Sequence, residues 1–155
     1  LGIAMATTVR VGHARGRNDA QGVRLAGAVG LFLTLCIQIV SATILFSIPT
    51  LIASMYTTDA AVIALAAQLL TLAAIFQLSD GVQAASNGAL RGLKDTRVPM
   101  LITGFAYWAV GMPTGLWLAF RADFGVRGMW MGLIAGLSVA ALLLTRRFWR
   151  LANRL

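Results

Sequence analysis

The chain has 155 residues, of which 59% are hydrophobic and only 12% charged, and its mean hydropathy is +0.81. That balance excludes an ordinary water-soluble domain and indicates an integral membrane protein. The formal charge of +8 does not indicate nucleic acid, because the arginines sit at the ends of apolar segments and lack the aromatic interleaving of a single-strand binder.

Leu1 to Val11 is apolar but too short to cross a bilayer, so it reads as a partial helix, residues 1–11. Its start, Leu1-Gly2-Ile3-Ala4, resembles an internal point of a longer chain more than a signal peptide. Gly12 to Asp19 is a polar, glycine-punctuated connector expected to break that helix, with Asn18 or Asp19 as the cap of the next one. Four apolar runs then follow, each long enough to span.

The first run, 26–56, predicts a helix from about Ala26 to Phe46 that continues past Pro49 toward Tyr56, with Pro49 kinking or ending it. Cys36, the single cysteine, lies inside this run and reads as packing. The second span is placed at 62–90; the apolar run from Ala60 to Leu90 would be about 46 Å long as a helix, so it must tilt or project from the hydrocarbon. In the third span, 98–120, Tyr107 and Trp108 sit mid-segment and Gly111-Met112-Pro113-Thr114-Gly115 is expected to interrupt the helix. In the fourth, 126–148, Gly128, Gly132 and Gly136 recur every fourth residue, the small-xxx-small pattern that lets helices approach closely.

The fold class is therefore all-α: a polytopic membrane helix bundle of four full transmembrane helices plus an N-terminal partial one. Lys and Arg number four in Arg10 to Arg24, none from Leu25 to Leu90, three in Arg91 to Arg97, two at Arg121 and Arg127, and four from Arg146 to Arg154. By the positive-inside rule the first, third and last of these basic groups face the cytoplasm, which places the C-terminus there; a multi-pass location in a bacterial inner membrane is the expectation.

Asp80 is the one charged residue between Ala60 and Leu90. Counting back from Arg91 it lies about 16 Å inside, near the bilayer midplane. Ionised residues at that depth are costly and usually face a bundle interior on an ion or substrate pathway. At 100° per residue Gln77, Asp80, Gln83, Ala84, Asn87 and Arg91 share one polar face. Protonated, the Asp80 carboxyl is a neutral donor; ionised, it can hold Na⁺ together with amide oxygens, since hard cations prefer oxygen ligands. Apart from that ion no metal site is expected: His13 is alone in a basic loop. No HExxH, GxSxG or Gly-Lys-Ser/Thr run is present and Asp80 has no second carboxylate in its segment, so the chain does not read as an enzyme and no cofactor is expected.

Four stretches resemble the C-terminal part of a multidrug and toxic compound extrusion (MATE) transporter: Ala6 to Gly16; Phe76 to Met100, with Leu90-Arg91-Gly92-Leu93-Lys94-Asp95-Thr96-Arg97-Val98-Pro99 at its centre; Tyr107 to Gly115; and Gly125 to Gly132. The resemblance implies twelve helices in two lobes, of which this chain is similar to the end of helix eight and helices nine to twelve. It further implies exchange of Na⁺ or H⁺ for organic, often cationic, drugs, with Asp80 matching the cation-site aspartate of helix ten. On that reading Phe76, Gln77, Gln83, Asn87 and Tyr107 line the cavity, and Phe76 stands where some members have tyrosine. The implied partners are membrane lipid, the drug and the missing N-terminal lobe, without which the chain is not expected to transport. A flippase of lipid-linked substrates with related architecture and a non-transporting protein that packs through Gly128, Gly132 and Gly136 are the alternatives.

Overall fold

A computed structural model describes all residues from Leu1 to Leu155. The chain is helical throughout: α1 (Gly2–Gly16), α2 (Ala20–Ser47), α3 (Pro49–Ser54), α4 (Ala60–Gly92), α5 (Arg97–Phe105), a π-helical segment (Ala106–Gly111), α6 (Met112–Phe120) and α7 (Val126–Ala152). Three of them, α2, α4 and α7, are individually long and apolar enough to cross a membrane. Large apolar side chains such as Phe32, Ile37, Trp108 and Trp117 point outward, as the walls of a lipid-embedded bundle require.

The boundaries differ from the sequence expectations in three places, each for a local reason. The N-terminal helix does not end at Val11: α1 runs on through Gly12 to Gly16, because Gly12 lies against the backbone of Gly92 and packing offsets its weak helix propensity. The turn comes at Asn18, in the left-handed region at φ 55°, and Asp19 then caps α2 by accepting a hydrogen bond from the Gly22 amide at 2.7 Å. Thus α2 begins at Ala20, six residues before Ala26. In the first span, the helix does not continue past Pro49 toward Tyr56: of the two roles expected of it, Pro49 ends the helix. Ile48 is driven to φ −134°, ψ 44° by the following ring, α2 stops at Ser47, and Pro49 opens the short α3.

The third correction concerns Gly111 to Gly115. The backbone there is not interrupted: Gly111 and Met112 keep right-handed helical angles, and α5, the π segment and α6 form one rod over residues 97–120. The wider π turn before Pro113 absorbs the hydrogen bond that proline cannot donate. With no freed backbone, no wet cavity is needed to cover it.

At the centre stands α4, packed on α1, α2, α3 and α7. Its register with α7 is fixed by two hydroxyl pairs seven residues apart, Ser79 with Ser138 at 2.9 Å and Ser86 with Thr145 at 2.8 Å, so these two helices run parallel. Helix α2 crosses antiparallel and donates from Ser41 to Gln77 Oε1 at 3.1 Å. The largest core gathers at the basic end, where Val11, Val23, Leu90, Leu144 and Phe148 are buried together.

Glycines set the remaining contacts. A Cβ at Gly132 would overlap the backbone of Gly115 and lie 2.7 Å from the Gly111 carbonyl oxygen; at Gly128 it would meet the Ala119 amide nitrogen at 2.6 Å, and at Gly136 the Gly111 Cα at 2.9 Å. The glycines read as an interruption and those read as a packing stripe are therefore two halves of one close helix contact.

Candidate functional site

Asp80 is held about two-thirds of the way along α4, a helix of 33 residues that is continuous because Asp59 caps its start, accepting from the Ala61 amide at 2.9 Å, and because no proline falls within it. Its carboxylate makes neither a hydrogen bond nor an ion pair. It opens on a cleft of about 350 Å³ between the start of α1, α4 and the π segment, and Gln83, Asn87, Arg91 and Tyr107 line the same cleft. One wall is the polar face of α4. The other comes from the third span, where the Tyr107 hydroxyl donates to Gln83 Oε1 at 3.3 Å.

At the lower edge of the cleft α1 lies close against α4. A Cβ at Gly88 would overlap the Ala4 carbonyl, and Thr8 donates from its hydroxyl to the Gly88 carbonyl oxygen at 2.8 Å.

Four of the nominated residues therefore share one site: Asp80, Gln83, Asn87 and Tyr107. Two do not line it. Gln77 sits at the edge of the polar face, 60° from Asp80, and turns to Ser41 of α2, which leaves its buried Nε2 without a protein partner. Phe76 packs edge-on to Trp130 of α7, with ring centroids 5.6 Å apart. Gly128, Gly132 and Gly136 lie remote from the cleft, on the face of α7 that meets α6 and the π segment.

Sequence reasoning missed one charged feature. Asp95, just past the end of α4, accepts from Arg147 Nε at 2.5 Å, and both side chains are mostly covered, at 16% and 29% exposure. An acid inside a basic loop was the only available signal; its partner lies 52 residues away and nothing in the local pattern selects Arg147 from the neighbouring arginines.

Chemically the cleft offers a carboxylate, two amides and a phenol, all oxygen donors suited to a proton or a hard monovalent cation. No cluster of three or more His, Cys, Asp or Glu side chains exists. No nucleophile is paired with a base around Asp80.

A family model described as MatE matches residues 1–117. Over its whole length the chain is 53% identical to a protein named "Probable multidrug resistance protein NorM" from Xanthomonas campestris pv. campestris, covering 34% of that relative. It is 45% identical to "Multidrug resistance protein PmpM" from Pseudomonas aeruginosa, with 98% of the chain and 33% of the relative covered. The chain thus spans about a third of the length of the curated relatives it matches. Among solved structures it is similar to the eukaryotic MATE transporter AtDTX14, with a TM-score of 0.87, 23% identity and coverage of 98% of this chain and 35% of that one. An inward-facing multidrug resistance MATE family transporter aligns with a TM-score of 0.89 and 17% identity, covering 99% of this chain and 36% of the other. Those two likenesses speak to the fold alone.

Proposed function

This chain belongs to the MatE family, and we propose on that premise that it works as part of a cation-coupled multidrug exporter of a bacterial inner membrane. It is a multi-pass membrane protein whose relatives are named for multidrug resistance. In this reading the end carrying Arg91, Arg97, Arg147 and the C-terminus is cytoplasmic. The substrates are organic, often cationic, drugs, and a second lobe supplies the surface against which these helices rock.

Asp80 is the coupling acid. Binding of Na⁺ or H⁺ to its carboxylate neutralises a charge that is expensive to leave bare at membrane depth, and so changes which packing of the two lobes is favoured. Gln83 presents an amide to the same cleft and Tyr107 holds that amide by its hydroxyl. The single observation carrying this reading is that the one acid of the long α4 run, itself exposed, lines a cleft together with Gln83, Asn87 and Tyr107.

The test is Asp80→Asn in the full-length exporter, reconstituted with an imposed Na⁺ or proton gradient. Drug efflux is expected to fall at least tenfold and to lose its dependence on the gradient. Unchanged efflux with unchanged gradient dependence would remove Asp80 from coupling. The names of the relatives favour drugs over lipid-linked substrates, and retained flipping of a lipid-linked sugar with no drug efflux would reverse that choice.

A further inference from the structure

We propose that the groove between α1 and α2 is a binding site for one anionic phospholipid, with its phosphate on Arg10 and an acyl chain along Leu25, Val29 and Leu33. Such a site depends on the chain lying in a bilayer and not on what Asp80 couples. The groove has a volume of about 550 Å³ and is lined only by α1, α2 and the turn joining them.

Small residues bring the two helices together along its floor. A Cβ at Gly30 would overlap the Thr7 side chain, and one at Gly22 would lie 3.2 Å from the Ala14 Cβ. Those two contacts fix an antiparallel register that sets Arg10 beside Ala26. The uncharged run of α2 begins one residue earlier, at Leu25, so Arg10 stands where the polar connector gives way to hydrocarbon-matching sequence. From Gly22 to Leu33 the groove follows α2 for about 16 Å, roughly half the hydrocarbon thickness of a bilayer. That is the depth of one leaflet.

Its chemistry changes along that length. Leu25, Val29 and Leu33 repeat every fourth residue and are exposed, with Ile3 and Ala6 opposite them on α1. At the other end come Arg10, Arg17 and Asp19. The acid is committed locally: Asp19 Oδ1 accepts from the Gly22 amide at 2.7 Å, and Oδ2 lies 3.8 Å from Arg17 Nη2. Arg24 of α2 is turned away to the Ala152 carbonyl oxygen, at 3.2 Å. Arg10 makes no hydrogen bond or ion pair with the protein. A guanidinium beside hydrocarbon is costly unless it is paired, and a phosphate diester offers two oxygens to its planar fork. Phosphate at the boundary and chain inward is the pattern of a phospholipid read along its length. A zwitterionic lipid would bring its own cation up to Arg10 and Arg17, so the groove selects a headgroup of net negative charge.

The test uses the full-length exporter, in a cysteine-free background that includes Cys36→Ser, reconstituted in mixed phosphatidylcholine and phosphatidylglycerol vesicles. A bimane fluorophore is attached at Val29→Cys in the groove and, for comparison, at Val40→Cys, which is exposed on α2 beyond it. Quenching by brominated phosphatidylglycerol is compared with quenching by brominated phosphatidylcholine. At Val29→Cys the apparent preference for the anionic lipid is expected to be about fivefold, the factor that one cation near an anionic surface supplies, and to fall below about twofold when Arg10→Gln is added, whereas Arg10→Lys keeps it. At Val40→Cys the two lipids are expected to quench alike. Quenching of Val29→Cys by neither lipid would mean that another part of the chain covers the groove, and would overturn the site. Equal quenching by both, or the same preference at Val40→Cys, would leave only bulk lipid there and overturn it too. A preference that survives Arg10→Gln would remove Arg10 from the site. If Arg10→Gln does not reach the membrane, the comparison of Val29→Cys with Val40→Cys still decides. Asp80→Asn in the same assay is expected to leave the preference intact, so the lipid site and the coupling reading fail separately.

Discussion

Adding one methyl group at Gly132 is the sharpest test of how α7 is seated. In Gly132→Ala the new Cβ would overlap the Cα and amide nitrogen of Gly115 and lie 2.7 Å from the Gly111 carbonyl oxygen. All of these are backbone atoms in helical segments, so no side chain can swing aside. The helices must part by roughly 1 Å to restore van der Waals contact, and a gap of that size forfeits about a quarter to a half of each dispersion contact along the seam. The seam includes Gly128 and Gly136, so the loss is shared by the whole α6–α7 contact. Overpacking of this kind costs about 1–3 kcal/mol, and rigid surroundings put Gly132 at the upper end. For a chain of this size about 3 kcal/mol corresponds to a fall in Tm of roughly 6–12 °C.

The control is Gly104→Ala, a helical glycine whose Cβ would meet nothing within 4 Å. There alanine's better helix propensity should leave stability unchanged or raise it by up to about 1 kcal/mol. Both variants are purified in detergent and their thermal unfolding compared with the parent. A Gly132→Ala protein as stable as the parent, or a Gly104→Ala protein equally damaged, would refute the backbone-contact reasoning.

Arg147→Ala should destabilise by about 1.5–3 kcal/mol, because it leaves the mostly covered Asp95 carboxylate without its charged donor. Adding Asp95→Ala should recover part of that loss, and a double-mutant cycle with no coupling would deny the pair any energetic role. Asp19→Ala removes the side-chain acceptor at the Gly22 amide and should cost about 1 kcal/mol. Its local signature is faster amide hydrogen exchange at the start of α2; exchange unchanged in the Ala20–Val23 turn would argue that Asp19 does not cap.

What could be read without coordinates follows from short-range physics. A charge cannot hide in an apolar run, so Asp80 is visible by subtraction, and helical periodicity places Gln83, Asn87 and Arg91 on its side. The acid at Asp19 and the proline at Pro49 mark helix ends through their own backbone chemistry. Proline misled at Pro113. There the helix survives, because a π turn upstream and glycine contacts with α7 hold the backbone in place, and those contacts are not encoded within reach of the proline itself.

The sequence by itself determined that helices cross a membrane, roughly where they do so, and which acid lies deepest, because hydropathy and helical periodicity act over one or two turns. Only the tertiary structure decided that Gln77 turns to Ser41 and Phe76 to Trp130 while Tyr107 reaches Gln83 beside Asp80, and that Asp95 closes on Arg147. Each choice depends on which helix stands opposite and at what register, and that register is fixed by small residues and hydroxyl pairs far apart in the chain. The ridge one helix presents is legible from its own residues; the groove that receives it belongs to another.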